Sequence, residues 1–169
     1  GIIPGVRLVC VEPEPGNVEV LRENVRGLST SAPVDIIEGA ITNKPGHSQF
    51  ALAESWGGAL ADGAGAVENR IEVRCYDMTG ILSVGGFENI GILKVDIEGA
   101  ERLLFANHPV WLKNVSLILV ELHGAYGIEE FRTDLHPFGF SVFPPGSVWG
   151  NRITMAVSTE LMLLAGRQR

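Results

Sequence analysis

The sequence predicts an α/β fold built on a mostly parallel sheet, and three observations indicate this class. Short, nearly continuous apolar runs, such as residues 6–11 and 90–96, are typical of strands covered on both faces. Segments with apolar residues at helical spacing lie between such runs. Turn residues separate the two kinds of segment, so strand and helix alternate as they do in parallel sheets.

The chain opens with strand, helix and strand. The first strand covers residues 6–11 and ends before Pro13, because Pro cannot continue a ladder of backbone hydrogen bonds. A helix is predicted over about 17–26, with Asn17 as its N-cap. The second strand covers residues 34–38.

The middle of the chain predicts a hairpin-like insertion. Residues 49–53 and 71–75 have the composition of two short strands. Between them, residues 54–67 are rich in Ala and Gly and offer few side chains to a core, which is typical of a surface loop.

The second half repeats the alternation and ends in an antiparallel pair. The predicted elements are a strand over 90–96, a helix over about 99–106, a strand over 116–122, a helix with its apolar stripe at positions 128, 131 and 135 that closes near Gly139, and strands over 140–143 and 152–157. The tail from residue 160 fits strand or helix. No linker or repeat interrupts the pattern, so residues 1–169 are predicted to form a single domain.

Charge and composition limit the kinds of partner and the location that we expect for this chain. The chain carries 20 acidic and 13 basic residues without a basic run, so neither a nucleic-acid nor an anionic-membrane surface is expected. No apolar run reaches the roughly 20 residues of a membrane-spanning helix. Cys10 and Cys75 cannot build a disulfide framework, so a cytoplasmic protein is expected. Nothing indicates the oligomeric state.

Acidic side chains end each of the four predicted parallel strands. They are Glu12, then Glu38 before Gly39-Ala40, then Asp96 and Glu98, then Glu121 followed by His123. Ligands of open α/β sheets bind at the carboxyl ends of the strands. Like charges gathered at one edge repel each other, so we interpret this pattern as a binding site.

Glu12 has two interpretations that the sequence does not separate. A carboxylate that ends a strand before a helix can accept both hydroxyls of a nucleoside ribose. Alternatively, Glu12 serves the dipole of the following helix together with Glu14.

Lys94 stands inside an otherwise apolar strand, which predicts a buried ammonium group in need of a partner charge. Asp96 shares its face of the strand, and Glu98 or Glu121 could also reach it. A structural ion pair is the alternative, but the position at a ligand-binding edge favours function.

His123 alternates with Glu121 at the end of the last parallel strand, and His is the side chain best suited to move protons near neutral pH. An ordinary surface His is the alternative. Carboxylates and His could also hold a divalent cation, but no ligand spacing supports one, so no metal site is assigned.

These residues resemble the FkbM-type methyltransferases. The matching segments are residues 11–15 with 21–25, 38–41 with 46–50, 75–78, 94–101 and 120–123. Residues 94–101, Lys-Val-Asp-Ile-Glu-Gly-Ala-Glu, are the most specific match. The resemblance spans roughly residues 6–123 in order.

The resemblance implies a Rossmann-like class I methyltransferase, with a reversed last strand in its sheet. Such an enzyme uses S-adenosyl-L-methionine to methylate a hydroxyl of a small molecule or sugar. Glu12 would hold the ribose hydroxyls, and Glu38, Gly39 and Ala40 would lie on the adenine side. Asp96 would face the methionine end and the acceptor.

The implied reaction needs a base, because a hydroxyl must lose its proton as it attacks the methyl group. Asp96 and His123 are the candidates. Glu98 and Glu121 would be orienting acids or metal ligands, and Lys94 belongs to the same catalytic group.

The resemblance departs at the front. Family members carry a strand and a Gly-rich turn before Glu12, where this sequence has only residues 1–5. We therefore expect the chain to lack that strand and turn and to bind the cofactor poorly. A non-catalytic or incomplete methyltransferase-like domain is one alternative. A dinucleotide-binding oxidoreductase is another, although it leaves residues 94–101 unexplained.

Overall fold

The computed structural model describes residues 6–27, 33–52, 59–60, 69–146 and 152–166. The chain is a mixture of helices and strands, as predicted, and it divides into two compact units, residues 1–86 and 87–169. The prediction of one domain over residues 1–169 stays a prediction. Among the described helices, none has both the length and the apolar character to cross a membrane.

The first unit contains two helices and six strands in its described part. They are β1 (Leu8–Glu12), α1 (Pro15–Gly27), β2 (Val34–Glu38), β3 (Ala40–Ile41), β4 (Gly46–Ala51), β5 (Ala59–Leu60), β6 (Arg70–Tyr76) and α2 (Met78–Gly85). β1 and β2 pair in parallel, and the other four strands form a sheet in the order β3-β6-β4-β5. The core of that sheet is built by Ala40, Phe50, Val73 and Cys75.

The start of α1 corrects one prediction. Pro15 is the first helical residue, a position that suits Pro because the first N–H of a helix has no partner within it. The carboxylate of Glu14 accepts hydrogen bonds from the N–H groups of Gly16 (2.9 Å) and Asn17 (2.6 Å). Asn17 as N-cap is therefore wrong, and the acidic side chain two residues after β1 caps the helix.

The predicted insertion is part of a sheet. β4 and β6 are antiparallel, with Phe50 opposite Ile71, as expected for a hairpin-like pair. However, β6 also pairs in parallel with β3, so the pair does not stand outside the sheet. Most of the predicted loop over residues 54–67, and residue 53 of the predicted strand, lie outside the described residues.

Besides two short 3₁₀ helices, Val110–Asn114 and His136–Phe138, the second unit contains three α-helices and four strands in its described part. They are β7 (Ile90–Val95), α3 (Glu101–Phe105), β8 (Val115–Glu121), α4 (Ile128–Leu135), β9 (Phe140–Phe143), β10 (Ile153–Ser158) and α5 (Thr159–Gly166). The sheet order is β7-β8-β10-β9, and only β7 and β8 are parallel. The predicted antiparallel pair near the end of the chain is confirmed as β9 and β10, and the described part of the tail, Thr159–Gly166, is helical.

Aromatic side chains fill the core of the second unit. Phe105 lies 5.0 Å from Phe131 and 6.0 Å from Trp111, measured between ring centroids. Both Phe side chains are fully buried. The helical stripe that predicted α4 is confirmed, since Phe131 and Leu135 are its two buried residues.

The sheets are mixed, so the prediction of mostly parallel strands holds only in part. Among the described pairings, β1-β2, β3-β6 and β7-β8 are parallel, whereas β4-β5, β4-β6, β8-β10 and β9-β10 are antiparallel. The parallel strands β7 and β8 position the candidate site, because their carboxyl ends lie side by side.

Candidate functional site

Three carboxylates surround the ring of His123, just beyond the end of β8. Nδ1 lies 2.7 Å from Oε1 of Glu101. On the other side of the ring, Nε2 lies 3.5 Å from Oε2 of Glu98 and 3.8 Å from Oε1 of Glu121. We call His123, Asp96, Glu98, Glu101 and Glu121 the acid–histidine cluster.

The turn between β7 and α3 brings Glu98 and Glu101 to His123. Lys94 of β7 is opposite Leu119 of β8, so the two parallel strands end at the same edge of the sheet. The chain then reverses through two residues in the left-handed region, Glu98 (φ 49°) and Gly99 (φ 100°). Gly suits such a backbone, whereas Glu is uncommon there.

Glu101 is the innermost member of the cluster. Its side chain is fully buried. Oε1 accepts hydrogen bonds from the N–H of Gly99 (3.2 Å) and from Nδ1–H of His123 (2.7 Å). Oε2 is buried and has no hydrogen-bond partner among the described residues. A buried carboxylate requires compensation by an opposite charge, and the His123 ring is placed to provide it.

The carboxylates determine how readily His123 holds a proton. Burial of the ring lowers the pKa of His123, because it removes water from the charged form. The hydrogen bond to Glu101 and the charges of Glu101, Glu98 and Glu121 outweigh that effect. The pKa of His123 therefore lies above its ordinary value.

Lys94 corrects a prediction. Its side chain is 62% exposed and not buried, and Ile92 on the same face of β7 is exposed to the same extent. The expected partner is present, since Nζ of Lys94 lies 3.2 Å from Oδ2 of Asp96. An exposed ion pair of this kind contributes about 0–1 kcal/mol, so it does not explain the cluster as a stabilising feature.

A cleft of about 530 Å³ opens beside the cluster. It is lined by Glu121, Leu122, His123, Gly127, Ile128, Pro144, Pro145, Arg152 and Thr154. Glu121 accepts a hydrogen bond from Nη1 of Arg152 at 3.0 Å. The guanidinium group of Arg152 is therefore a positive charge at the rim of the cleft. Apolar walls with a few polar groups are typical of sites that bind small molecules.

Some donor atoms of the cluster lie close enough to share a cation. Asp96, Glu98 and His123 each offer one ligand atom, and these atoms lie within 4.8 Å of one another. Two carboxylates and an imidazole form a mixed oxygen and nitrogen ligand set.

Four of the five candidate cofactor residues lie in the first unit, and Asp96 lies in the second. Glu12 and Glu38 are paired across β1 and β2, and the N–H of Gly39 donates to the carbonyl of Glu12 at 2.9 Å. Oε1 of Glu12 accepts the N–H of Glu14 at 2.9 Å, so Glu12 supports the turn into α1. Oε2 of Glu38 lies 3.3 Å from Arg22.

Gly39 has a structural reason to be Gly. Its φ is +155°, and an added Cβ would lie 2.5 Å from the carbonyl oxygen of Arg74 and 2.7 Å from the ring of Tyr76. No side chain fits there without moving the backbone of β6. Ala40 follows as a buried residue of β3.

Comparison with known families decides the identity. The family model of the methyltransferase FkbM domain matches residues 4–141. The chain belongs to the FkbM methyltransferase family. The resemblance carried by residues 94–101 is thereby confirmed, and this chain contains a methyltransferase domain. No curated protein and no solved structure matches it.

Within the FkbM domain, the predicted site residues form one group in each unit. Glu12, Glu38, Gly39 and Ala40 lie together at the ends of β1 and β2 in the first unit. Asp96, Glu98, Glu121 and His123, with Lys94 on Asp96, lie together in the second unit. Their roles in catalysis and cofactor binding stay predictions.

The sequence predicted no role for Glu101, although this residue is the last one of the motif at residues 94–101. A signal for it exists. Glu101 precedes Leu104 by three residues and Phe105 by four, and both of those side chains are buried. Residues at this spacing share one side of a helix, so an acid there is directed toward the core.

Proposed function

We propose that this chain is a Rossmann-like class I methyltransferase that transfers the methyl group of S-adenosylmethionine to a hydroxyl oxygen of a small molecule or sugar. The observation that carries the proposal is the acid–histidine cluster beside a cleft, within a domain of the FkbM family. Carboxyl ends of adjacent parallel strands are where α/β sheets bind ligands, which supports placing the reaction at the ends of β7 and β8.

The ends of β1 and β2 would hold the nucleoside part of the cofactor. The carboxylate of Glu12 suits the two ribose hydroxyls, and Oε1 would exchange its contacts with the Glu14 N–H and the Asn17 amide for the ligand. The adenine ring would lie against Glu38, Gly39 and Ala40, where β2 ends and β3 begins.

The second unit would hold the acceptor and carry out the proton transfer. S-adenosylmethionine would supply the methyl group to the acceptor oxygen, and a base of this chain would take the hydroxyl proton. Asp96 and His123 are the candidate bases, while Glu98 and Glu121 orient them. The apolar residues of the cleft, among them Ile128 and Pro144, would bind the body of the acceptor.

The first test is methyl transfer from a labelled methyl donor to a panel of hydroxylated acceptors. We expect Asp96→Ala to reduce turnover by at least about a hundredfold, since it removes a group at the reacting oxygen. Glu160→Gln, which removes one exposed charge on α5, is the matched control. Full activity of Asp96→Ala with the true acceptor would show that the site is assigned wrongly.

A second test addresses the cofactor. The expectation about a Gly-rich turn before Glu12 stays a prediction, and residues 1–5 lie outside the described residues. Calorimetry measures S-adenosylmethionine binding by the chain, which Glu12→Ala should weaken. Absence of both binding and transfer would favour a non-catalytic domain, and hydride transfer in their place would favour an oxidoreductase.

A further inference from the structure

The acid–histidine cluster holds more negative charge than its neighbours neutralise. Asp96, Glu98, Glu101 and Glu121 are its carboxylates, whereas the cations that pair with them among the described residues are Lys94, Arg152 and the protonated form of His123. The side chains of Lys94 and Arg152 are 62% and 78% exposed, so solvent weakens their effect. Carboxylates at such distances repel each other unless a further positive charge lies among them.

The spacing of the donor atoms fits a single cation. Ligand atoms bound to one divalent ion at about 2.0–2.4 Å lie roughly 3–5 Å from one another. Nε2 of His123 and Oε2 of Glu98 are 3.5 Å apart, and one donor of Asp96 lies within 4.8 Å of both. Small rotations of exposed carboxylates would bring all three atoms onto one ion.

Glu101 supplies an independent observation that points to a ligand. It is fully buried, it is directed at His123, and its Oε2 has no hydrogen-bond partner among the described residues. Its bond to Nδ1 turns Nε2 toward Glu98. Metal-binding His residues are held in this way, with a carboxylate on the nitrogen that does not bind the metal.

We propose that Asp96, Glu98 and His123 bind a divalent transition-metal cation, and that Glu101 is the positioning residue behind His123. Two carboxylate oxygens and one imidazole nitrogen suit a cation such as Mn²⁺. The inference goes beyond the proposed methyl transfer and does not depend on it. If both hold, an acceptor hydroxyl beside the cation loses its proton more readily, and His123 serves as a ligand instead of the base.

The site can be tested with Mn²⁺ alone, without cofactor or acceptor. Calorimetry and the electron paramagnetic resonance signal of the free ion both measure the binding. We expect one site per chain. Asp96→Asn and Glu98→Gln should each weaken it by more than about tenfold, because each removes a charged ligand. Glu101→Gln should weaken it by about tenfold to a hundredfold, as expected for the loss of an orienting partner.

Two further variants give the experiment its controls. Glu160→Gln removes an exposed charge outside the cluster and should leave the Mn²⁺ affinity unchanged. Lys94→Gln removes the ammonium that competes for Asp96, so the affinity should rise about twofold to fivefold. The unfolding midpoint of each variant establishes that it is folded. Because Asp96 and Glu98 are exposed, their variants carry the test if Glu101→Gln does not fold.

The outcomes separate this inference from the proposed function. Equal Mn²⁺ affinity of the wild type, Asp96→Asn and Glu98→Gln would overturn the metal site, as would an equal loss in Glu160→Gln. Methyl transfer that persists after chelation would remove a catalytic role for the cation and leave the methyltransferase proposal intact. Site-specific Mn²⁺ binding without any transfer would support the metal site and count against the proposed reaction.

Discussion

A single buried carboxylate determines the properties of His123. Glu101 is placed in the core by the helix that carries Leu104 and Phe105, and it reaches the ring at 2.7 Å. Removing one partner of such a pair leaves the other charge uncompensated, which is more costly than never having the pair. The residue therefore connects the packing of α3 with the chemistry at the end of β8.

The raised pKa of His123 predicts how stability depends on pH in the metal-free protein. The unfolded ring has its ordinary pKa of 6.5, and the folded ring has a higher one. The contribution of the imidazolium is thus fully present below pH 6.5 and is lost as the pH rises through the folded value. Urea unfolding in chelator should show a midpoint that falls over this range.

The comparison for that experiment is His123→Gln, which has no titrating ring. Glu98, Glu101 and Glu121 are the groups that face the ring. The midpoint of the variant should change less with pH than that of the wild type. Parallel curves for the two proteins would contradict the prediction.

At this scale the sequence indicated which residue types gather but not how deeply each is buried. Lys94 was expected inside because its neighbours are apolar, yet it lies with Ile92 on an open face of β7. Glu101 was given no role because charged residues are almost never fully buried. Burial depends on what packs against each face, and one-dimensional patterns do not contain that information.

Among the elements, α2 depends on one side chain at its start. Asp77 has an extended backbone (φ −90°, ψ 168°), and its Oδ1 accepts the N–H of Gly80 at 2.7 Å. Asp77→Ala should lower the free energy of unfolding by about 1 kcal/mol, because a first-turn N–H loses its acceptor. Chemical denaturation measures this difference.

The companion variant is Asp77→Asn, since Asn is also a good N-cap. It should lose only a small part of the stability. If Asn and Ala destabilised equally, the carboxylate charge and not the cap would be the important feature.

The helix itself was not predicted from sequence, because its buried residues Met78 and Ile81 continue directly from a strand and its eight residues give too few turns for a clear period.

Other elements were easier to predict. Continuous apolar runs correctly indicated β1, β7 and β8, and the stripe of α4 was periodic enough to be recognised. The pairing of β6 with β3 was not accessible, since β3 has only two residues. Parallel pairs join residues far apart in the chain, so local patterns do not specify them.

For the molecule as a whole, each compact unit has a core of its own. In the second unit the core is aromatic, and Phe105 is its central ring, with Trp111 and Phe131 within 6.0 Å. Phe105→Ala should reduce the free energy of unfolding by about 3–5 kcal/mol, because it leaves a cavity among rings that cannot collapse fully. Thermal or urea denaturation checks this.

Leu163→Ala is the control for that change. Leu163 is 61% exposed on α5, so its truncation should alter stability by no more than about 0.5 kcal/mol. A loss in Phe105→Ala as small as that in Leu163→Ala would mean that the aromatic core is not what holds the second unit together. Composition and alternation predicted the α/β class, whereas the division into units came only from three-dimensional contacts.

Position 98 has to satisfy two requirements, because the backbone of Glu98 is in the left-handed region. The turn requires a residue that tolerates φ above zero, and Asn tolerates this conformation better than Glu. The proposed metal site requires a carboxylate. A relative with Asn at position 98 would retain the turn and give up the charge, so the residue found there in other chains would distinguish those that kept the fold from those that also kept the reactive centre.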